Sequence, residues 1–127
     1  MNVPLTLTPQ EVVDQYVETC AILKETTFIG DYKRGNREYK KIIKVFKYLE
    51  NNISIAYASL PTLFSHENVA ARIKAAAHCL ALNIAVDEAQ KVLQDAANDE
   101  TNSIFAFEAK LTLQKWSEQG YLLVHQK

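Results

Sequence analysis

Glycine and proline are scarce, three of each in 127 residues. That scarcity excludes a fold of many short strands, which would need turn residues about every ten positions. Cysteine is scarcer still. Cys20 and Cys79 are the only two, and with no CxxC or Cys/His spacing they predict neither a disulfide framework nor a zinc site. Both read as reduced core residues. Long hydrophobic runs are missing too. The most nearly apolar stretch, AAAHCLALNIAV from Ala75, is too short and interrupted to span a bilayer, and no signal-peptide pattern opens the chain. The expectation is a cytoplasmic protein with no membrane partner. Nor does one sign of charge dominate. Lys and Arg number 14 against 15 Asp and Glu, a net charge of -1 and a pI near 6.3, which argues against a protein built mainly to neutralise nucleic acid. GxGxxG, GxxxxGK[ST] and GxSxG are all absent, and with them the usual signatures of nucleotide loops and elbow-type serine hydrolases.

What is present is helical. Ala, Leu, Lys, Glu and Gln fill long segments between the few breakers, and 48% hydrophobic against 23% charged residues suffices for one core. Residues 1–127 read as a single all-α domain of about six helices, with a lead-in at 1–7 and a tail, YLLVHQK, at 121–127. Thr8-Pro9-Gln10-Glu11 is a capping box with proline at its first helical position. The helix it starts should run to about Thr27 or Phe28, with Val13, Tyr16, Val17, Cys20 and Leu23 inward and Glu11, Asp14, Glu18 and Glu25 outward. Gly30-Asp31 breaks the chain before a second helix to about Glu50, whose apolar side is Tyr39, Ile42, Phe46 and Leu49. A short helix from about Ile53 to Leu60 should be limited by Pro61.

Ser65-His66-Glu67-Asn68 forms a turn and cap before VAARIKAAAHCLAL, with Ile73, Ala76, Ala77 and Leu80 buried. A helix from about Asp87 to Ala97 follows, inward through Ala89, Val92, Leu93 and Ala96. The last helix, Ser103 to Gln119, carries Phe105, Phe107, Leu111, Leu113 and Trp116 on more than one side and is expected to pack between partners. Gly120 is its C-terminal cap, and Tyr121 to Val124 either close the core or pair two chains.

The segment from His66 to Leu80 resembles a HEAT-type repeat helix through Asn68, Val69, Arg72, Ala76 and Ala77. More broadly, GDYKRGN before a basic amphipathic helix, then ARIKAAAHCLAL, AQKVL and FEAKLTLQKWSEQG, is similar to the small bacterial HEAT-like family known as domain of unknown function 2019. The closing pattern matches at Phe107, Glu108, Ala109, Leu113, Trp116 and Gly120. The resemblance implies an α/α superhelix of stacked antiparallel hairpins, HEAT/ARM-like. In that reading Arg72 bonds a neighbouring repeat's turn or carboxylate.

Few residues invite chemistry. His78 and Cys79 project about 100° apart on a helix and do not form a nucleophile–base pair. His66 belongs to a turn and His125 to the tail. Trp116 reads as a core anchor. No catalytic residue, metal site or cofactor is expected. The exception to this blandness is the segment 31–47, with seven Lys or Arg and two Asp or Glu, a balance of +5, whereas 1–30 and 48–127 each sum to -3. Lys33, Arg37, Lys40, Lys44 and Lys47 fall within an arc of about 80° opposite the apolar side. Tyr48 is the aromatic expected at the exposed edge of this stripe, Tyr39 the one expected in the core. Such a stripe is either a solvated helix face or a recognition surface. As a surface it fits a noncatalytic interaction module, an adaptor or toxin-neutralising protein with an acidic protein partner. The alternative is nucleic-acid binding, by analogy with the HEAT-like alkyl-base DNA glycosylases.

Overall fold

The capping box forms as written. In the computed structural model, which describes residues 6–124, Thr8 Oγ1 accepts the Glu11 amide at 3.2 Å and the Glu11 carboxylate accepts the Thr8 amide at 3.0 Å. Helix α1, Pro9–Ile29, ends at Gly30 in the left-handed region, φ 74°, a conformation glycine adopts without Cβ strain. One residue later Asp31 accepts the Arg34 amide at 3.2 Å and starts α2, Tyr32–Glu50. Two residues therefore reverse the chain, and α2 returns antiparallel along α1. The two helices approach closely at Gly35, where a Cβ would stand 3.1 Å from Thr26 Oγ1.

Helix α3, Ile53–Ser59, is short. It ends before Pro61, as expected, and Pro61 sits in the first turn of a 3₁₀ segment, Leu60–Ser65, that carries the chain onward. Proline fits there because the first turn of a helix has no use for its missing amide proton. Asn68 then caps α4, Val69–Leu82, its Oδ1 accepting the Ala70 and Ala71 amides at 2.9 and 3.4 Å. Helix α4 ends at Asn83 (φ 60°), and Ala85, also left-handed at φ 45°, leads into α5, Val86–Ala97. A 3₁₀ turn, Glu100–Asn102, precedes α6, Ser103–Gln119. Gly120, at φ 75°, donates its amide to Trp116 O at 2.8 Å.

The protein is thus all-α, and no strand occurs among the described residues. Its helices pair as α1 with α2, the 3₁₀ segment with α4, and α5 with α6, with α3 lying across α1 and α2, and the pairs stack into a superhelical arrangement. Helix α4 is the centre of the stack, packing against α1, α5, α6 and the 3₁₀ segment. Its alanines let these backbones come near, and burial reaches Ala71, Ala75, His78 and Cys79 as well as the expected Ile73, Ala76 and Leu80. Ala77 is only half-buried. Val12, Tyr16, Ile42, Leu49, Leu60, Leu63 and Leu93 complete the largest fully covered side chains of the core.

Helix α6 departs from expectation. Only Ala106 and Ala109 are buried, and Phe105, Leu113 and Trp116 are half-buried against the core. Phe107 remains 63% exposed. The physical reason is position: α6 is the last described helix of the stack, so α4 and α5 cover one side and no other described helix covers the other. The tail's first residues, 121–124, lie back on the molecule, with Leu122 packed on the core and Tyr121 and Leu123 outward. His125 and residues 1–5 of the lead-in fall outside the described residues.

Candidate functional site

Helix α2 sorts its side chains sharply. Glu38, Ile42, Val45, Phe46 and Leu49 are buried, which turns the opposite arc outward and leaves Lys33, Arg37, Lys40, Lys44 and Lys47 exposed. No ion pair joins any of these five to another described residue. The two remaining cations of the helix lie off that arc, and both are paired. Arg34 reaches Glu25 of α1 at 3.7 Å, and Lys41 holds Glu38 at 2.6 Å. Helix α1 therefore neutralises the near shoulder of α2 and not its crest. Glu11, Asp14 and Glu18 share a shallow groove with Lys41 and Lys44, yet Lys44 makes no ion pair in it.

The aromatics of α2 reverse their expected places. Tyr48 is half-buried and its hydroxyl donates to Leu7 O at 3.3 Å. Tyr39 is 41% exposed, because α2 packs against α1 and α3 and makes little contact with α4. Its hydroxyl donates to Val124 O at 3.3 Å, and Lys74 Nζ of α4 lies 5.5 Å from the centre of its ring, within cation–π range. Tyr39, Lys74 and Glu108 line two adjoining cavities of about 230 and 270 Å³, the smaller between α1, α2, α4 and α6 and the larger between α2, α4, α6 and the tail. Tyr32 is more exposed than either of the other two tyrosines, at 76%, and stands at the first turn of the basic helix.

Beneath the groove lies a polar pair that sequence reasoning missed. Tyr16 Oη and His78 Nδ1 are 2.6 Å apart, both buried and 62 positions distant in the chain. Burial holds His78 well below the usual imidazole range, with Lys74 adding to the effect, and the same burial raises the Tyr16 phenol, with Cys79 and Cys20 next. The imidazole is therefore neutral and the phenol protonated, and the two share one hydrogen bond whose direction is set by the imidazole tautomer. Phe46 packs its ring edge-on to the imidazole, centroids 4.9 Å apart. His78 thus turns to Tyr16. Cys79 is buried, and desolvation pushes its thiol up to about 12; Cys20, also buried, is raised to about 11 by the same cause.

Arg72 bonds its own turn, not a neighbouring repeat. Its Nη1 donates to His66 O at 2.6 Å and Glu67 O at 3.3 Å, because α4 rises directly from that turn and places the guanidinium under its carbonyls. His66 completes the same turn by accepting the Asn68 amide at 3.0 Å. Among the described residues no three His, Cys, Asp or Glu side chains converge as a metal ion would require. No described helix is long and apolar enough to cross a membrane.

Stacked helical hairpins around an alanine-rich central helix, with one unneutralised cationic face, define an α/α superhelical protein. The chain belongs to the family described as Domain of unknown function (DUF2019), which it matches over residues 10–116. No curated protein and no solved structure matches it.

Proposed function

We propose that this chain is a noncatalytic, HEAT-like protein–protein interaction module of the bacterial cytoplasm, an adaptor or toxin-neutralising protein, that meets an acidic partner through Lys33, Arg37, Lys40, Lys44 and Lys47. One observation carries the reading. The chain pairs the cations on the shoulder of α2 and leaves the five on its crest without an ion pair among the described residues. A solvated face needs only polarity; five like charges within one arc also repel one another, and an acidic surface relieves that repulsion. Such charges set encounter rate and orientation more than the final affinity. Tyr32, exposed at the start of the same helix, supplies an aromatic contact of the kind enriched in interfaces.

The test replaces all five cations by Glu and compares capture of native partners by the two full-length proteins, with circular dichroism confirming that both are folded. Loss of an acidic protein from the variant supports the proposal. Loss of nucleic acid, with a steep inverse dependence of binding on salt, replaces the acidic protein by the nucleic-acid reading. Identical capture by both proteins contradicts any recognition role for the stripe.

A further inference from the structure

Helix α2 packs on α1 and α3 and makes little contact with α4, and the space this leaves is walled by four helices. Cys20 and Leu23 of α1, Tyr39 of α2, Lys74 of α4, and Phe105 and Glu108 of α6 line the inner cavity of about 230 Å³. An apolar cavity of about 150 Å³ holds benzene, so this one has room for a single ring and a short polar group. The outer cavity shares Tyr39, Lys74 and Glu108 but is walled in part by residues 122–124 of the chain's own tail. No described residue of the tail lines the inner one.

The charges around the inner cavity indicate what fits it. Lys24, Lys74 and Glu108 line it, and none forms an ion pair with another described residue. Lys24 and Glu108 are exposed, so water satisfies them and salt screens them. Lys74 is half-buried and has given up part of its hydration. Among the described residues its compensation is the face of Tyr39, whose ring centre lies 5.5 Å from Nζ, a weaker interaction than a charge-assisted hydrogen bond to a carboxylate. The same ring, with Leu23 and Phe105, gives the cavity an apolar, aromatic wall suited to the body of such an anion. Glu108 leaves room for one negative charge beside Lys74 and opposes a second, which disfavours polyphosphates and other polyanions. Burial holds the Cys20 thiol up at about 11, so the cavity offers no thiolate nucleophile and is suited to binding alone.

We infer that this cavity binds a small aromatic carboxylate, with the carboxylate on Lys74 Nζ and the ring against Leu23, Tyr39 and Phe105. The inference does not rest on the acidic-partner reading, because none of the five crest cations of α2 lines the cavity. With about ten non-hydrogen atoms and one charge-assisted contact, such a ligand binds with a Kd of about 1 mM or less.

Titration of the isotope-labelled full chain with benzoate to about 10 mM, followed by amide chemical shifts, tests this at a concentration where a millimolar site is nearly saturated. Salt at about 150 mM keeps the exposed cations screened. Saturable shifts are expected at the amides around Leu23, Tyr39, Lys74 and Phe105. Benzamide, the neutral isostere, should bind at least about tenfold more weakly. Lys74→Met, folded by circular dichroism, should weaken benzoate at least about tenfold and bring the two probes level. Glu108→Gln alters only an exposed side chain and should tighten benzoate by about threefold, which keeps the inference testable should the Lys74 variant not fold. The absence of saturable shifts in the cavity, shifts confined to the basic crest of α2, benzamide binding as tightly as benzoate, or a benzoate affinity indifferent to both substitutions would each overturn the inference.

Discussion

His78 joins the two halves of the stack through a single hydrogen bond, between the Tyr16 hydroxyl of α1 and its own imidazole on α4. Tyr16→Phe leaves a buried ring nitrogen without its hydrogen-bond partner and should cost about 1–2 kcal/mol in urea denaturation. The pH dependence has a definite sign. Because the folded pKa of His78 is depressed, the unfolded chain takes up the proton first. Stability from the neutral imidazole is therefore fully present above the unfolded value of about 6.5 and falls as pH drops below it, by up to about 1.4 kcal/mol per pH unit. Denaturation midpoints between about pH 7.5 and 5.5 should show this loss, and His78→Gln, which keeps a polar partner for Tyr16 without the titration, should flatten it. The groups facing the ring, Tyr16, Phe46 and Lys74, offer no carboxylate to hold an imidazolium.

Glu38 makes a second case at this scale. Lys41 holds Oε2 at 2.6 Å while Oε1 is buried and without a hydrogen-bond partner among the described residues. Burying a carboxylate with one oxygen unsatisfied is costly, and Lys41, 56% exposed, stays in solvent when its partner is removed, so Glu38→Met should leave the denaturation free energy unchanged or raise it by about 1 kcal/mol. A loss of several kcal/mol would show that the carboxylate has a partner that this account lacks.

Among the elements, α4 depends most on its start. Asn68 caps it and Arg72 ties the preceding carbonyls, so Asn68→Ala should lower stability by about 1 kcal/mol in thermal or urea melts. Helix limits were the most legible feature of the sequence. Thr8 with Glu11, Gly30, Asn68 and Gly120 mark boundaries by local chemistry that acts whatever packs nearby. The side on which a helix meets its neighbours was less legible. Tyr39 continues the apolar side of α2 by spacing, yet it lines open cavities because α2 packs on α1 and α3 and hardly on α4. Phe107 and Leu111 look like core residues, yet α6 is last in the stack and is covered from one side. Neither outcome has a local cause, so neither leaves a local signal. The bond between Tyr16 and His78 is the extreme case, since nothing in either segment announces a partner 62 residues away.

At the scale of the whole molecule, the chain's net charge of -1 conceals a separation that the fold preserves. The five crest cations of α2 were all legible as one face because an amphipathic helix maps sequence directly onto surface. The acidic outer residues of α1 could have cancelled them, and the structure limits that cancellation to Arg34. Association with an acidic partner should accordingly slow as salt rises through the physiological range, where the Debye length is about 8 Å.

The most direct measurement is affinity capture from native cytoplasm by the wild-type chain and by the folded variant with Lys33, Arg37, Lys40, Lys44 and Lys47 replaced by Glu, with proteins and nucleic acids both identified. The account predicts an acidic protein bound to the wild type and lost from the variant. The same partners on both, or none on either, would contradict it and return the basic face of α2 to the role of a solvated helix surface.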